Sequence, residues 1–479
     1  MSTSPIDEIL HARSISVVGA TRTGEWGGGG FVASLLEFGY TGKVYPVNPK
    51  YPEIQGLVSY PSLRDIPGPV DYVISSVPAK EVIKLLEDAA YKGVRNVHLF
   101  TARLAETGRP DAIALERAIL QLAKAAGIRI IGPNCMGVYC PSARIAFHSD
   151  FPKEPGPVGL VSQSGMLARE LVHAGPRRGI HFSKVISYGN AIDINECDLL
   201  EFMIDDPETR VILMYIEGVK QGRRFFEVLK RATAAKPVII LKGGWGEAGA
   251  RATASHTASL AGGTRVWNTM VEQAGAATAD SAEELIDLAA AFTFLPPVAG
   301  KRVGVVAVGG GASVLAADQC ERARLDVIPL PDGFRAELKR QNISIWDWLS
   351  NPADFSIRED DRLSVGLILE MMAKDPHFDL LISLMGFAGR PPGMPGMPLE
   401  EALEQQYRLS ACQPKPFLAV VTEYGARSIE ELGGREMKGA SEVRAVLLKR
   451  GIPFFATVSR AALAARKVAD YYAGRAKRR

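Results

Sequence analysis

Cysteine is scarce and scattered. There are five among 479 residues (Cys135, Cys140, Cys197, Cys320 and Cys412), an odd number with no CxxC pair, so neither a disulfide framework nor a zinc knuckle is expected. An excess of one charge is also lacking. The 56 Lys and Arg against 53 Asp and Glu leave a net charge of +3, which gives no basis for nucleic acid or a membrane surface as a partner. The basic stretch RAKRR (475–479) reads as a solvated end. No apolar run reaches the ~20 residues of a membrane helix, and the opening MSTSPIDEIL lacks the apolar core of a signal peptide. A soluble, cytoplasmic protein is expected. With 47% hydrophobic and 23% charged residues the composition is ordinary for a globular chain, and the length allows two to four domains.

Short β-branched runs alternate with helical patterns throughout, which predicts an α/β fold of parallel sheets covered by helices. The first block places strands at 14–19, 43–48, 71–77, 96–101 and 129–132, and a helix over 80–90 with Val82, Ile83, Leu85, Leu86 and Ala89 on one face. This is one Rossmann-like domain over 1–148. The Pro-rich break SDFPKEPGP (149–157) precedes strands at 158–163, 184–190, 210–218 and 237–244 and a helix at 281–292, a second doubly wound domain over 156–294. After LPPVAG (295–300) come strands at 302–311, 325–330, 379–387, 416–425 and 452–458, with AGRPPGMPGMPL (388–399) as a surface loop and a closing helix to about 473, a third domain over 300–473. One compact three-domain body is expected. In such folds ligands bind beyond the carboxyl ends of the strands, and the Gly, Ser and Asn clusters fall there.

Five clusters carry chemistry. VVGATRTGEWGGGGF (17–31) follows the first strand and opens a helix, a setting in which backbone N–H groups hold phosphate. The second strand ends at Lys50, which suits a phosphate where NAD would call for an acid, and the third ends at SSVPA (75–79), able to flank an adenine or pantetheine arm. The first domain therefore fits a phosphorylated adenosine cofactor, coenzyme A ahead of NAD. IGPNCMGV (131–138) directs Asn134 and Cys135 at whatever lies beyond the fifth strand; Cys135 reads as packing rather than nucleophile, because no His–Asp pair is identifiable beside it. GLVSQSGML (159–167) is strand, turn and helix, with Ser162 or Ser164 as N-cap and the helix start as an anion site. It is not a GxSxG hydrolase elbow. YIEG (215–218) ends an apolar strand on Glu217, placed to orient an imidazole. Asn190, Asp193 and Asp198, beyond a neighbouring strand, read as loop caps. No metal site is expected.

The last cluster is EAGARATASHTASLAGG (247–263), in which His256 stands among mostly small residues with Arg251 as the one charged residue within five positions. Neutral imidazole is a good nucleophile near pH 7 and a good leaving group once phosphorylated.

With SVVGATR, YPVNPK, GPNCMGV, SQSGMLA, YIEG and EAGARATASHTASLAG in this order, the chain resembles the α-type subunit of ADP-forming acyl-CoA synthetases, relatives of succinyl-CoA synthetase. The resemblance implies a CoA-binding Rossmann-like domain followed by two flavodoxin-like ligase domains. It implies that His256 is phosphorylated at the expense of ATP, that the phosphoryl group passes to a carboxylic acid, and that the CoA thiol displaces phosphate to give acyl-CoA. In it Glu217 orients the histidine, while Ser162, Gln163, Ser164 and Gly165 hold the phosphoryl group. Gly19, Thr21, Arg22, Thr23, Gly24, Lys50, Val77, Pro78, Asn134 and Cys135 lie where the family binds CoA. Gly24 to Gly30, GEWGGGG, is richer in glycine than the family pattern and carries an unusual Trp26. Nothing in the sequence reads as an ATP-grasp domain, so ATP, ADP and magnesium would be handled only by a separate β-type ATP-grasp subunit, in a homo- or hetero-oligomer. A stand-alone CoA or acyl-CoA sensor or scaffold is the alternative.

Overall fold

The computed structural model of the protein describes residues 4–23, 27–249, 251, 264–356, 363–385, 397–412, 415–421 and 435–478. The chain divides into two compact units, Met1–Leu285 and Ile286–Arg479. The first holds two large sheets and the second holds one.

In the first unit, β1 (Ser14–Val18) and β2 (Lys43–Val47) are followed by a small hairpin of β3 (Glu53–Ile54) and β4 (Leu57–Val58). Then come β5 (Tyr72–Ser75), β6 (Asn96–Leu99) and β7 (Arg129–Ile131). The sheet runs β2-β1-β5-β6-β7, all parallel. The second sheet takes β8 (Gly137–Tyr139), β9 (Val158–Ser162), β10 (Phe182–Ser187), β11 (Val211–Ile216), β12 (Val238–Lys242) and β13 (Ala277–Ala279) in the order β13-β12-β11-β9-β10-β8. Only β8 is antiparallel among these, pairing with β10. The second unit holds β14 (Val303–Ala307), β15 (Ala353–Asp354), β16 (Leu380–Leu384), β17 (Phe417–Val420) and β18 (Phe454–Phe455), ordered β15-β14-β16-β17-β18 and all parallel.

The central strands VGLVS, VIILK and VGVVA are buried at every residue, which is what a continuous apolar run signifies in a sheet covered on both faces. Local signals close the helices. Helix Val82–Lys92 buries Val82, Leu85, Leu86 and Ala89 and ends at Gly93 (φ 73°), whose N–H returns to the Ala89 and Ala90 carbonyls. Disregarding the hairpin and the antiparallel edge, each sheet places its second parallel strand beside its first, then the third, fourth and fifth. Connections leave the first strand to one side and the third to the other. A crevice therefore opens beyond their carboxyl ends, the switch point where ligands bind. In the first unit those crevices lie beyond β1 and β5 and beyond β9 and β11.

Two expectations need correction. Residues 325–330 form no strand; Asp326 makes a single bridge to Arg302, because Pro329 and Pro331 have no N–H to give to a ladder. The place beside β14 goes to β15 instead. Strands β8 and β13 escaped the sequence reading because three-residue edge strands carry no periodicity, and β8, though within the first 148 residues, joins the second sheet. Most of the Gly- and Pro-rich 388–399 stretch lies outside the described residues. Among the described residues no helix is long and apolar enough to cross a membrane, and no group of His, Cys, Asp or Glu is placed to hold a metal ion. All five cysteines are free and buried.

His98 on β6 is 1% exposed, sits edge-on to Phe31 and places Nε2 2.9 Å from the Cys135 carbonyl. Burial lowers its pKa to about 4. Between pH 6.5 and 4 the unfolded chain takes up a proton that the folded chain refuses, so stability falls as pH drops through that window. The loss approaches about 3 kcal/mol at the acid end. Urea titrations across this window are expected to show a steeper pH slope for the wild type than for His98→Phe; equal slopes would remove His98 from the acid response.

Candidate functional site

The first switch point joins the loops after β1 and β5. Gly19 (φ 84°) turns the chain out of β1, and a Cβ there would meet the Ser76 backbone at 2.9 Å. Gly28, in the first turn of helix Gly27–Phe38, lies so close to the Gly19 carbonyl that a Cβ would fall 2.1 Å from its oxygen. The glycines therefore let the helix start press against the strand end. Beyond that contact Thr21, Arg22 and Thr23 are exposed, and Thr21 Oγ1 donates to the Thr23 carbonyl at 2.8 Å. Asn48 pins the β2 turn onto this loop, its Nδ2 donating to the Ala20 carbonyl (2.7 Å) while its Oδ1 accepts the Lys50 N–H (2.9 Å). Lys50 and Pro78 are exposed and Val77 is half-buried, its carbonyl accepting from Thr101 Oγ1 at 2.8 Å. The Arg22 guanidinium lies over the Tyr51 ring at 4.8 Å. Among the described residues neither Arg22 nor Lys50 pairs with a carboxylate. Two unneutralised cations beside an exposed Thr-Arg-Thr loop at a crevice fit a polyphosphorylated ligand. Gly24 lies outside the described residues.

The second switch point joins the loops after β9 and β11. Ser162, at the end of β9 and fully buried, donates Oγ–H to the Ser164 carbonyl (2.7 Å) and accepts the Ser164 N–H (3.2 Å). Ser164 is the N-cap of helix Gly165–Ala174, its Oγ accepting the Leu167 N–H at 3.2 Å. Gln163 bridges the crevice. Its N–H donates to the Tyr215 carbonyl (3.1 Å), and its side-chain oxygen accepts the backbone N–H groups of Glu217 and of Gly218, the latter at 3.0 Å. The helix start and the acid are thereby one unit. The amide oxygen of Gln163 is committed to that bridge.

Glu217 is 6% exposed; Tyr215 Oη donates to its Oε1 at 3.1 Å, and Lys242 Nζ donates to its carbonyl at 2.8 Å. Lys242 also lies over the Trp267 ring at 5.6 Å, and burial lowers its pKa while Glu217 opposes that shift. Burial, then the charge and hydrogen bond of Glu217, raise the Tyr215 pKa, so its hydroxyl stays a donor. His256 lies outside the described residues, between the ends of β12 and helix Thr264–Ala274.

The turn carrying Asn134 and Cys135 joins the loop after β6 to the end of β10. Asn134 (φ 58°) donates its N–H to the Thr101 carbonyl at 2.9 Å, and Met136 donates its N–H to Ser187 Oγ at 3.2 Å. A Cβ on Gly165 would meet Met136 Cγ at 2.4 Å, so glycine is what lets the helix start sit against this turn. The Cys135 thiol is buried, 3.9 Å from the Leu99 carbonyl, and burial raises its pKa; His98 meets its carbonyl rather than its sulfur. A thiol so placed packs and does not attack. Asp198 completes a capping box with Asn195, and Asp193 accepts from Arg129 Nε (2.9 Å) and the Ile130 N–H (2.8 Å). Sequence reasoning did not single out Tyr215 or Lys242; their signal is position, each at or next to the carboxyl end of a central strand.

The family description "CoA binding domain" matches residues 13–141, and "Succinyl-CoA ligase like flavodoxin domain" matches 155–292. The α subunit of ADP-forming acetate–CoA ligase II from Pyrococcus furiosus is 37% identical over 392 residues, 81% of this chain and 84% of that one. An ADP-forming acetate–CoA ligase from Methanocaldococcus jannaschii is 39% identical over 314 residues, 65% of this chain but 44% of that one. The solved acetyl-coenzyme A synthetase 1 of Candidatus Korarchaeum cryptofilum, in complex with phosphate and ADP, superposes with a TM-score of 0.81 at 29% identity, covering 98% of this chain and 97% of that one.

Proposed function

The chain belongs to the ADP-forming acyl-CoA synthetases of the succinyl-CoA synthetase superfamily, and from that membership we propose that it is their CoA-binding, acyl-CoA-forming subunit. Acid, ATP and CoA become acyl-CoA, ADP and phosphate. The γ-phosphoryl group of ATP passes to His256, the P–N bond of phosphohistidine breaks as a substrate carboxylate takes the group, and the CoA sulfur then attacks the acyl carbon with loss of inorganic phosphate. Glu217 orients the imidazole. The helix start at Ser162–Gly165 holds the phosphoryl oxygens at each stage with preorganised N–H groups. A single observation supports the assignment best: the Gln163 carboxamide ties Glu217 and Gly218 to the turn that opens the helix. An acid able to set a histidine tautomer and an anion cradle are thus held as a rigid pair across a switch point.

CoA fits the first crevice, where Arg22 and Lys50 meet its phosphates and Val77 and Pro78 flank its arm. The chain spans less than half of the longer M. jannaschii ligase, and a separate ATP-grasp subunit supplies the ATP step in this reading. Sustained ADP release by the chain together with such a partner, beyond the one equivalent that accompanies histidine phosphorylation, should require both a carboxylic acid and CoA; multiple turnovers that ignore CoA would overturn the proposal. Calorimetry offers a direct check on the first crevice. Lys50→Ala and Arg22→Ala are each expected to weaken CoA binding about tenfold at low salt, with the difference shrinking as salt rises. Unaltered affinity in both would move CoA elsewhere.

A further inference from the structure

Lys220 stands three residues beyond Glu217 and has no part in the roles above. The residue is exposed, and its ammonium donates to the carbonyl oxygens of Asn190 (2.7 Å) and Ala191 (3.0 Å). Both carbonyls belong to the turn 188–192 that follows β10. The far side of that turn is held by the first sheet. Asn190 donates its N–H to the Pro133 carbonyl (3.0 Å), Ile192 donates to the Gly132 carbonyl (3.1 Å), and Asn190 Nδ2 donates to Glu106 Oε2 (2.9 Å). Glu106 in turn accepts the backbone N–H groups of Arg103 and Leu104.

Three turns therefore meet at one junction, and each contains a residue with a Cβ in the left-handed region: Arg103 (φ 69°), Asn134 (φ 58°) and Ala191 (φ 53°). Among the described residues only eight non-glycine residues have positive φ, so three on one bonded network is a concentration of backbone strain. Such conformations persist where the surroundings over-determine them, and they gather at functional sites. Lys220 is the cation that satisfies the two carbonyls of the Ala191 turn. Glu196 is 1% exposed, and the charges of Glu116 and Glu196 oppose the lowering of the Lys220 pKa by burial.

We infer that Lys220 is a positioning residue for thiol transfer, clamping the 188–192 turn between the Glu217 loop and the Gly132–Asn134 and Arg103–Glu106 turns and so setting the distance from the CoA crevice to the 162–165 helix start. The inference rests on the proposed function. In the step it serves, the CoA sulfur forms a bond to the acyl carbon, the acyl carbon–oxygen bond breaks, inorganic phosphate leaves with the electron pair, and the thiol proton goes to solvent.

The test uses the full chain and a panel of short-chain acyl phosphates with CoA, a partial reaction that needs neither ATP nor phosphohistidine. Lys220→Met, which keeps the stem, is expected to lower kcat/KM for CoA at least tenfold through kcat, with CoA affinity by calorimetry within twofold of wild type. Lys220→Arg, which restores two donors, should recover a large part of the loss. Amide exchange should quicken at 188–192 and 103–106 in Lys220→Met alone. A Lys220→Met chain with wild-type kcat and unchanged exchange in the 188–192 turn overturns the inference. If the wild type neither binds CoA nor forms acyl-CoA, the functional reading fails instead, and unchanged exchange in the variant then still overturns the clamp.

Discussion

Replacing His256 by alanine is expected to abolish phosphoenzyme formation and to lower acyl-CoA synthesis from ATP, acid and CoA by about 10⁴-fold or more. The expectation follows from the chemistry of the side chain. Neutral imidazole attacks phosphorus near pH 7, and its P–N bond is labile enough to hand the group on. No other residue of EAGARATASHTASLAGG has a nucleophile active at that pH. Because the neighbours are small, alanine introduces no clash, and the thermal midpoint should stay within a degree or two of wild type, about the size of a surface substitution. The partial reaction of acyl phosphate with CoA should persist, since it bypasses the histidine. Labelled phosphate retained by the variant would refute the assignment.

Glu217→Gln is expected to slow histidine phosphorylation by about 10²–10⁴-fold while leaving the fold intact. Glutamine matches glutamate in shape, and its carboxamide oxygen can still accept from Tyr215 Oη, which donates to Oε1 at 3.1 Å. The backbone contacts are also untouched, because Gln163 bonds the N–H of residue 217 and Lys242 bonds its carbonyl. What the substitution removes is the negative charge that, in the proposed function, holds the imidazole in one tautomer and stabilises it as it becomes cationic. Rapid-quench phosphorylation separates this from a folding defect. The partial reaction with acyl phosphate should change little, and rates equal to wild type in both assays would take Glu217 out of the mechanism.

The two crevices were legible to different degrees. Gly19, Thr21, Arg22, Lys50 and Val77 stand out because a glycine-rich turn after a first strand and a lysine after a second have a known relation to phosphate. Ser162–Gly165 and Glu217 stand out as polar residues ending strands that are otherwise apolar. Gln163 was placed among phosphate ligands, yet its carboxamide oxygen is used to join two loops 54 and 55 residues apart in sequence. Lys220, Glu106 and the Ala191 turn carried no signal, because a lysine meeting two backbone carbonyls has no sequence signature. Leu325–Leu330 misled in the other direction: its apolar pattern outweighed two prolines that a ladder does not accept.

The sequence by itself determined most of the central strands of the parallel sheets, since continuous apolar runs must be buried on both faces, and which residue types could carry phosphate, since reactivity belongs to the side chain. Only the tertiary structure decided that each sheet sets its second strand beside its first and thereby opens a crevice at the first and third. It alone decided that Glu217 meets Gln163 and that the turns of Arg103 and Asn134 bond the 188–192 turn that Lys220 holds. The reason is physical. Strand order and loop contacts arise from crossovers that bring together residues dozens of positions apart, and local propensity carries no term for them.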